Sequence, residues 1–418
     1  MQVLVSPDNQ THWDPHLPRY ENGSPTVKKS DFRTIAPDFL DQVSLMPQRP
    51  WLIPNHLLVG YLTCVLSPGG VGKSSFELAT AISVAIGRNL LGTTDYIRQR
   101  NCVVINNEDD NDEVQRRLAG MLTKHDIEAS DVAGRLFFYS GYGNPLTIAH
   151  QDEHTGAVVA SPNMHTFTDF IRENDIGAVF IDPFISTHDQ PENGNTEVDK
   201  VVQQYKRIAN ATGVAISLAH HVRKGSPDSE GHAGDAESGR GASSLKDACR
   251  CVLTLSRMNE RTADTLGFDS RERERHVRLD VGKLNFGLSD GKAKWFRMES
   301  VYLGNGDAVG VPVPVNLEPM FDQAKRGASN TKWTTHTVAE ALERLIPDGT
   351  SCVQWTDIRT QFMDENDVRK TQAADLIANL SKDPKRPTRI KVEGKLIDYW
   401  IEKSHQTAPW VIHRTELN

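Results

Sequence analysis

The nine residues Ser67, Pro68, Gly69, Gly70, Val71, Gly72, Lys73, Ser74 and Ser75 have the types and spacing of a loop that cradles phosphate. Glycines let backbone N–H groups turn inward toward an anion, and a helix opening at Lys73 would aim its N-terminus at the same charge. In such a loop Lys73 reaches the β- and γ-phosphates, and the Ser74 hydroxyl holds Mg²⁺. Pro68 through Ser75 therefore read as the segment that binds ATP. Ser67 departs from the common pattern, which has a glycine there, but Gly69, Gly70 and Gly72 keep the loop open.

Three further stretches end an apolar run in a group able to do chemistry. Ala178, Val179, Phe180 and Ile181 lead to Asp182, which suits the water shell of a Mg²⁺ ion beyond a strand's carboxyl end. Val103, Val104 and Ile105 lead through two asparagines to Glu108, a carboxylate able to orient and partly deprotonate an attacking water. The neighbouring Asp109, Asp110 and Asp112 read as stabilising the N-terminus of the next helix through its dipole. Ala215 to Ala219 lead to His220 and His221, then to Arg223 and Lys224. His221 is the histidine expected to donate to the γ-phosphate and report its loss.

The elements that must position these groups follow from periodicity. Apolar or β-branched runs at 61–66, 103–106, 136–139, 178–181, 215–218, 251–255 and 276–281 predict strands. Helical patterns at 73–86, 113–125, 164–174 and 198–212 separate the first five. Such alternation predicts an α/β core with a mostly parallel sheet flanked by helices. The last two strands follow without a helix and predict an antiparallel extension. The balanced charges of 257–278 predict a solvated hairpin tip or excursion.

The full chain has 418 residues, enough for two to three domains at about 150 residues each. Lys plus Arg is 47 and Asp plus Glu is 55, a net charge of −8, which argues against coating DNA non-specifically but not against a local basic surface. No run approaches the ~18 apolar residues of a membrane span, and no basic, then apolar, leader opens the chain. A cytoplasmic protein with no membrane partner is expected. Five cysteines without a CxxC pair predict buried, reduced thiols.

Residues 1–50, with seven prolines, predict an extended arm before an ATPase domain at 51–317. A polar linker at 318–330 leads to a small α+β domain at 331–405 and a tail at 406–418. Helix, strand, helix, helix and hairpin in that order predict a winged helix. Its cations concentrate in Lys382, Lys385, Arg386, Arg389, Lys391 and Lys395 against Asp383 and Glu393. Lys385, Arg386 and Arg389 are candidate phosphate contacts, and Arg369 and Lys370 open the helix expected to reach base edges. Protein contacts are the alternative use of such a module.

In their order, the phosphate loop, Glu108, Asp182-Pro183, the His220–Lys224 stretch and the segment from Arg240 through Asp247 resemble the RecA-like ATPases. Within these they are similar to the RepA-type hexameric replicative helicases of plasmids and mobile elements. The resemblance covers about residues 50–314. It implies a homo-oligomer, a hexameric ring with ATP between neighbouring subunits. It also implies an arginine finger at Arg250, with Arg240 second in line, and single-stranded DNA in a central channel. Arg223, Lys224 and Arg240 would grip that DNA from the glycine-rich stretch 225–241, although Asp228, Glu230, Asp235 and Glu237 oppose them. Lys283 matches the lysine of a Lys-x-Arg pair in DnaB-like helicases, but Asn285 stands where the arginine would be. The implied activity is Mg²⁺-dependent ATP hydrolysis coupled to translocation on, or unwinding of, DNA. The alternative is a nucleotide-switched DNA-binding or initiator protein with slow hydrolysis and no translocation, its winged helix on duplex.

Overall fold

The computed structural model describes residues 31–191, 194–222, 243–321, 334–347, 349–366, 368, 370–392, 395–403 and 408–417. They form two compact units, the second made of the residues after Leu317 together with Asp264–Leu266 at the end of one helix. The first unit begins with a short helix, α1 (Phe39–Ser44), and the strands β1 (Trp51–Ile53), β2 (Leu57–Leu58) and β3 (Leu62–Ser67). Then come α2 (Lys73–Ile86), β4 (Asn101–Asn106), α3 (Asn111–Lys124), α4 (Ala129–Val132) and β5 (Leu136–Ser140). A small hairpin, β6 (Ala149–Gln151) with β7 (Val158–Ala160), precedes α5 (Pro162–Glu173), β8 (Ile176–Asp182), α6 (Asn195–Thr212) and β9 (Ala215–His221). The unit closes with α7 (Ser243–Ala248), β10 (Cys251–Arg257), α8 (Glu260–Leu266), α9 (Ser270–Arg275), β11 (His276–Leu284), β12 (Lys294–Tyr302) and β13 (Ala308–Val315).

Nine of these strands make one sheet in the order β13-β12-β11-β10-β3-β9-β8-β4-β5. From β10 through β5 all neighbours are parallel, and from β10 to β13 all are antiparallel. The inner parallel strands β3, β9, β8 and β4 are buried on both faces, which is why they read as continuous apolar runs rather than alternating ones, while the edge strand β5 is only partly covered. Alternate residues feed two separate cores. Val65, Ala178 and Phe180 face α2 and α3, whereas Cys64, Leu66, Val179 and Ile181 face α5 and α6. With these faces covered by helices, the groups able to meet a ligand stand at the ends of the strands.

Several expectations change. The arm contains α1, whose residues are all solvent-exposed, so residues 39–44 are helical rather than extended. The stretch 257–278 is the expected excursion at the tip of the antiparallel β10–β11 pair, and it holds two short helices, α8 and α9. Cys352 is exposed, while Cys64, Cys102, Cys249 and Cys251 are buried as free thiols. The hairpin β12–β13 lies beyond the strands expected from periodicity, and its second strand carries Pro312 and Pro314. Both sit on the edge strand, where a proline removes no needed ladder donor. Its turn does carry a signal, Asn305-Gly306, with Gly306 at φ +90°.

The second unit contains α10 (Thr335–Leu345), β14 (Cys352–Gln354), α11 (Trp355–Asn366), α12 (Lys370–Ala378), β15 (Thr388–Val392), β16 (Lys395–Glu402) and β17 (Val411–Leu417). The order expected through β16 is present, but residues 411–417 are not a tail. They form β17, which lies between β14 and β16 in an antiparallel sheet of order β14-β17-β16-β15. Arg414 on this strand is buried, and its Nε donates to Glu343 on α10 at 2.8 Å.

The β12–β13 hairpin is fastened to α3 by Arg116–Asp307 at 2.9 Å, Lys124–Glu299 at 2.6 Å and a close approach at Gly120. A Cβ on Gly120 would come within 2.1 Å of the Val309 methyl. Gly120→Ala is therefore expected to destabilise the protein by about 1–2 kcal/mol in denaturant titrations, overpacking outweighing the gain in helix propensity. Val309→Ala in the same chain should recover most of the loss.

Candidate active site

The phosphate loop joins β3 to α2 at the carboxyl edge of the parallel strands. Gly70 (φ +75°) and Gly72 (φ +107°) adopt the left-handed conformation that lets the loop fold over the N-terminus of α2. Lys73 opens the helix and is buried, its Nζ donating to Asp182 Oδ1 at 2.6 Å with both side chains 4% exposed. Asp182 ends β8, as expected for a carboxylate at a strand terminus. Its Oδ2 is also buried and has no hydrogen-bond partner among the described residues. An acceptor held dry beside a helix N-terminus fits a cation or its water shell, so the residues present suit Mg²⁺ with a nucleotide. Ser74 sits on the first turn of α2 and is partly buried.

Glu108 and His221 face one another. Ser67 pairs with His221 in the β3–β9 register, and Val222 N–H donates to the Ser67 carbonyl at 3.0 Å, so the histidine stands level with the loop's first residue. His221 Nε2 lies 3.8 Å from Glu108 Oε1, with side-chain exposures of 40% and 50%. An asparagine fixes the Glu108 turn, since Asn106 Oδ1 accepts the N–H groups of Glu108 (2.9 Å) and Asp109 (2.8 Å). Of the three aspartates that follow, Asp110 caps α3 by accepting the Glu113 N–H at 2.8 Å, and Asp112 lies in the helix's first turn. Asp109 instead pairs with Arg117 at 3.0 Å.

His220 points the other way and is buried beside Phe184. Burial, helped by the charge of Lys73, pushes its pKa down to about 4, so the ring is neutral near pH 7.

Arg250 and Lys283 lie at the opposite edge. Arg250 N–H donates to the Leu62 carbonyl at 3.0 Å, at the start of β3. Five residues at about 3.3 Å each separate that level from Ser67, roughly 17 Å. The exposed Arg250 side chain therefore cannot serve the loop of its own chain. The Lys283 ammonium donates to the carbonyls of Lys246 (2.9 Å) and Asp247 (3.1 Å), closing the last turn of α7 just ahead of Arg250. Its contacts are thus those of a helix C-terminal clip. Arg223, Lys224, Arg240 and Arg369 lie outside the described residues.

In the second unit Lys370, Lys385 and Arg386 are exposed. Arg389 makes a two-pronged bond with the buried Asp398, at 2.7 and 2.8 Å, which ties up one of the cations expected to meet phosphate.

Two groups escaped the sequence reading. Arg257, at the end of β10, bonds the phosphate loop itself. Glu77, one turn after Lys73, is buried and accepts from the Ser217 hydroxyl on β9 at 2.8 Å. Burial pushes its pKa up to about 8; the Ser217 bond opposes this, Asp182 adds to it, and Lys73 opposes it. A lone carboxylate among the apolar residues of 76–86 was the available signal.

Residues 28–227 match the family model described as an AAA domain. With the loop and its buried Lys73–Asp182 pair, this match supports the ATPase domain of a P-loop nucleotide hydrolase. The large, mostly parallel sheet fits that class. Among the described residues, no helix is long and apolar enough to cross a membrane.

Two consequences can be measured. Lys73→Ala should abolish ATP turnover and, by stranding the buried Asp182 charge, cost about 3 kcal/mol of stability. Asp182→Asn in the same chain should restore more than half of that stability but no turnover. For Glu77 the folded pKa lies above the ordinary 4.5, so the folded state holds the proton longer than the unfolded chain. Stability should fall as pH rises from about 4.5 to about 8, by at most about 1.4 kcal/mol per pH unit for this group, and then level off. Glu77→Gln should remove that part of the slope in pH-dependent denaturation.

Proposed function

We propose that this chain is a Mg²⁺-dependent ATPase whose catalytic centre is shared between copies in a hexameric ring. It couples hydrolysis to movement on, or unwinding of, DNA, in keeping with its resemblance to the RepA-type replicative helicases of mobile elements. The observation that carries this reading is the separation of the cations. Lys73 lies within the loop, while the exposed Arg250 leaves the backbone at the level of Leu62, roughly 17 Å along β3 from Ser67, beyond an arginine's reach of its own phosphates and open to a neighbour's.

In this mechanism Lys73 gives up Asp182 for the phosphates. Ser74 and the freed Asp182 carboxylate would hold Mg²⁺, which would supply charge neutralisation at the transferring group. Glu108 orients the attacking water. His221, beside Glu108, donates to the γ-phosphate and loses that partner after hydrolysis. Arg250 of one copy stabilises the transition-state charge in the next. Lys283 acts in cis, holding α7 and hence the chain that leads to Arg250. Arg223, Lys224 and Arg240 contact single-stranded DNA, and the second unit works as a winged helix, with Arg369, Lys370, Lys385 and Arg386 toward duplex.

One observation favours a second reading, a nucleotide-switched DNA-binding protein with slow hydrolysis. The stretch assigned to the channel carries Asp228, Glu230, Asp235 and Glu237, and that acidity opposes a grip on phosphate.

Steady-state ATPase measured without DNA, with single strands and with duplex separates the two. A motor's rate should rise several-fold with single strands, and a slow rate indifferent to them would support the switch. Mixing Glu108→Gln with Arg250→Ala subunits should restore activity at mixed interfaces. Verified mixed rings with no recovery would overturn the shared site.

A further inference from the structure

Arg257 is the last residue of β10, and its place follows from strand register. Thr254 pairs with Leu66 across the β10–β3 ladder, so three residues further on Arg257 comes level with Gly69 and Gly70. Its Nη2 donates to the Gly70 carbonyl at 2.5 Å and its Nη1 to the Glu274 carbonyl at 2.8 Å. Both acceptors are neutral. Among the described residues no carboxylate pairs with this guanidinium, and the side chain is exposed. A guanidinium has five N–H donors, so about three remain for another acceptor, and the full positive charge is uncompensated beside the loop.

The sheet order gives that charge a direction. β3, which feeds the loop, has β9 on one side and β10 on the other. Asp182, Glu108 and His221, the groups suited to the terminal phosphate, all come from the β9 side. The inner phosphates and the nucleoside must then lie toward the β10 side, where Arg257 ends. A second feature at the same loop is directed at a cation: the buried, unpartnered Asp182 Oδ2 beside Lys73 suits a metal ion that would arrive with a polyphosphate.

We infer that Arg257 binds the α-phosphate side of a nucleoside di- or triphosphate, supplied in cis by the subunit that owns the phosphate loop. The inference rests on the phosphate-loop reading and adds to it a contact indifferent to the terminal phosphate. It gives the site two arginines with different duties. Arg257 retains nucleotide before and after hydrolysis, whereas Arg250 of a neighbouring copy acts only while charge moves. A guanidinium is suited to the first duty because it can keep one arm on the Gly70 carbonyl while presenting the other to phosphate oxygens.

The test is calorimetric titration of the full chain with ADP and with a non-hydrolysable ATP analogue, with Mg²⁺ present. Arg257→Ala should weaken both ligands by the same factor, about tenfold to a hundredfold, the range for one lost charge-assisted hydrogen bond. Arg257→Lys should recover part of the affinity, and the gap between wild type and Arg257→Ala should narrow as salt rises. Unchanged ADP affinity overturns the inference. So does a loss confined to the ATP analogue, which would move Arg257 to the terminal phosphate. A loss that lysine does not rescue and salt does not alter overturns it in favour of a neutral clip on the Gly70 carbonyl. Nucleotide binding by wild type that survives Lys73→Ala is a separate failure: it removes the phosphate-loop reading, and this inference with it.

Discussion

Two opposite charges removed from water set the terms for this site. Lys73 and Asp182 are each almost fully buried, and either alone in that environment would be costly by several kcal/mol. They can be buried only because α2 and β8 deliver them to the same point, with β9 between β3 and β8 in the sheet. The same arrangement brings Glu77 and Ser217 together beneath the pair and sets His221 level with the loop. A substrate able to separate the pair must offer both members something better: anionic oxygens for the ammonium and a cation for the carboxylate. That double requirement is what a metal–nucleotide complex supplies and what neither part supplies alone.

The parallel half of the first unit was legible because its inner strands are buried on both faces, giving apolar runs that end in chemistry. Asp182, Glu108 and His221 could be named from such run-ends alone, and each stands at the carboxyl edge of the sheet. What escaped was set by partners distant in sequence. Arg257 looked like the first residue of a charged excursion, and only the β3–β10 register brings it to Gly70. Glu77 is one polar position on a helix in the sequence, and packing against β9 buries it. Lys283 shows the converse. Its identity invited a role toward phosphate, but the fold spends its ammonium on the carbonyls that end α7.

The second unit was legible in its order of elements and obscure at its end. Residues 411–417 follow a polar stretch and carry Arg414 and Glu416, so they read as tail. Arg414 is tolerated inside because Glu343 meets it, and the strand then completes the sheet between β14 and β16. Hydrophobic pattern is a poor guide where a buried ion pair replaces an apolar contact. Basic residues read as a patch are likewise divided by structure: Asp398 takes Arg389, while Lys385 and Arg386 remain open to solvent.

The β12–β13 hairpin also constrains how the first unit can move. It holds α3 through Asp307, Glu299 and Val309, and it meets α2 where the Gly310 carbonyl accepts the Ser75 hydroxyl at 3.2 Å and Met298 packs over Gly72. The hairpin is thus a bracket bolted to two helices, one beginning at the phosphate loop and the other following the Glu108 turn. A bracket of this kind transmits force but gives little freedom of its own. The Glu108 helix and the loop are thus joined through one hairpin as well as through the sheet, so a displacement of either bears on the other.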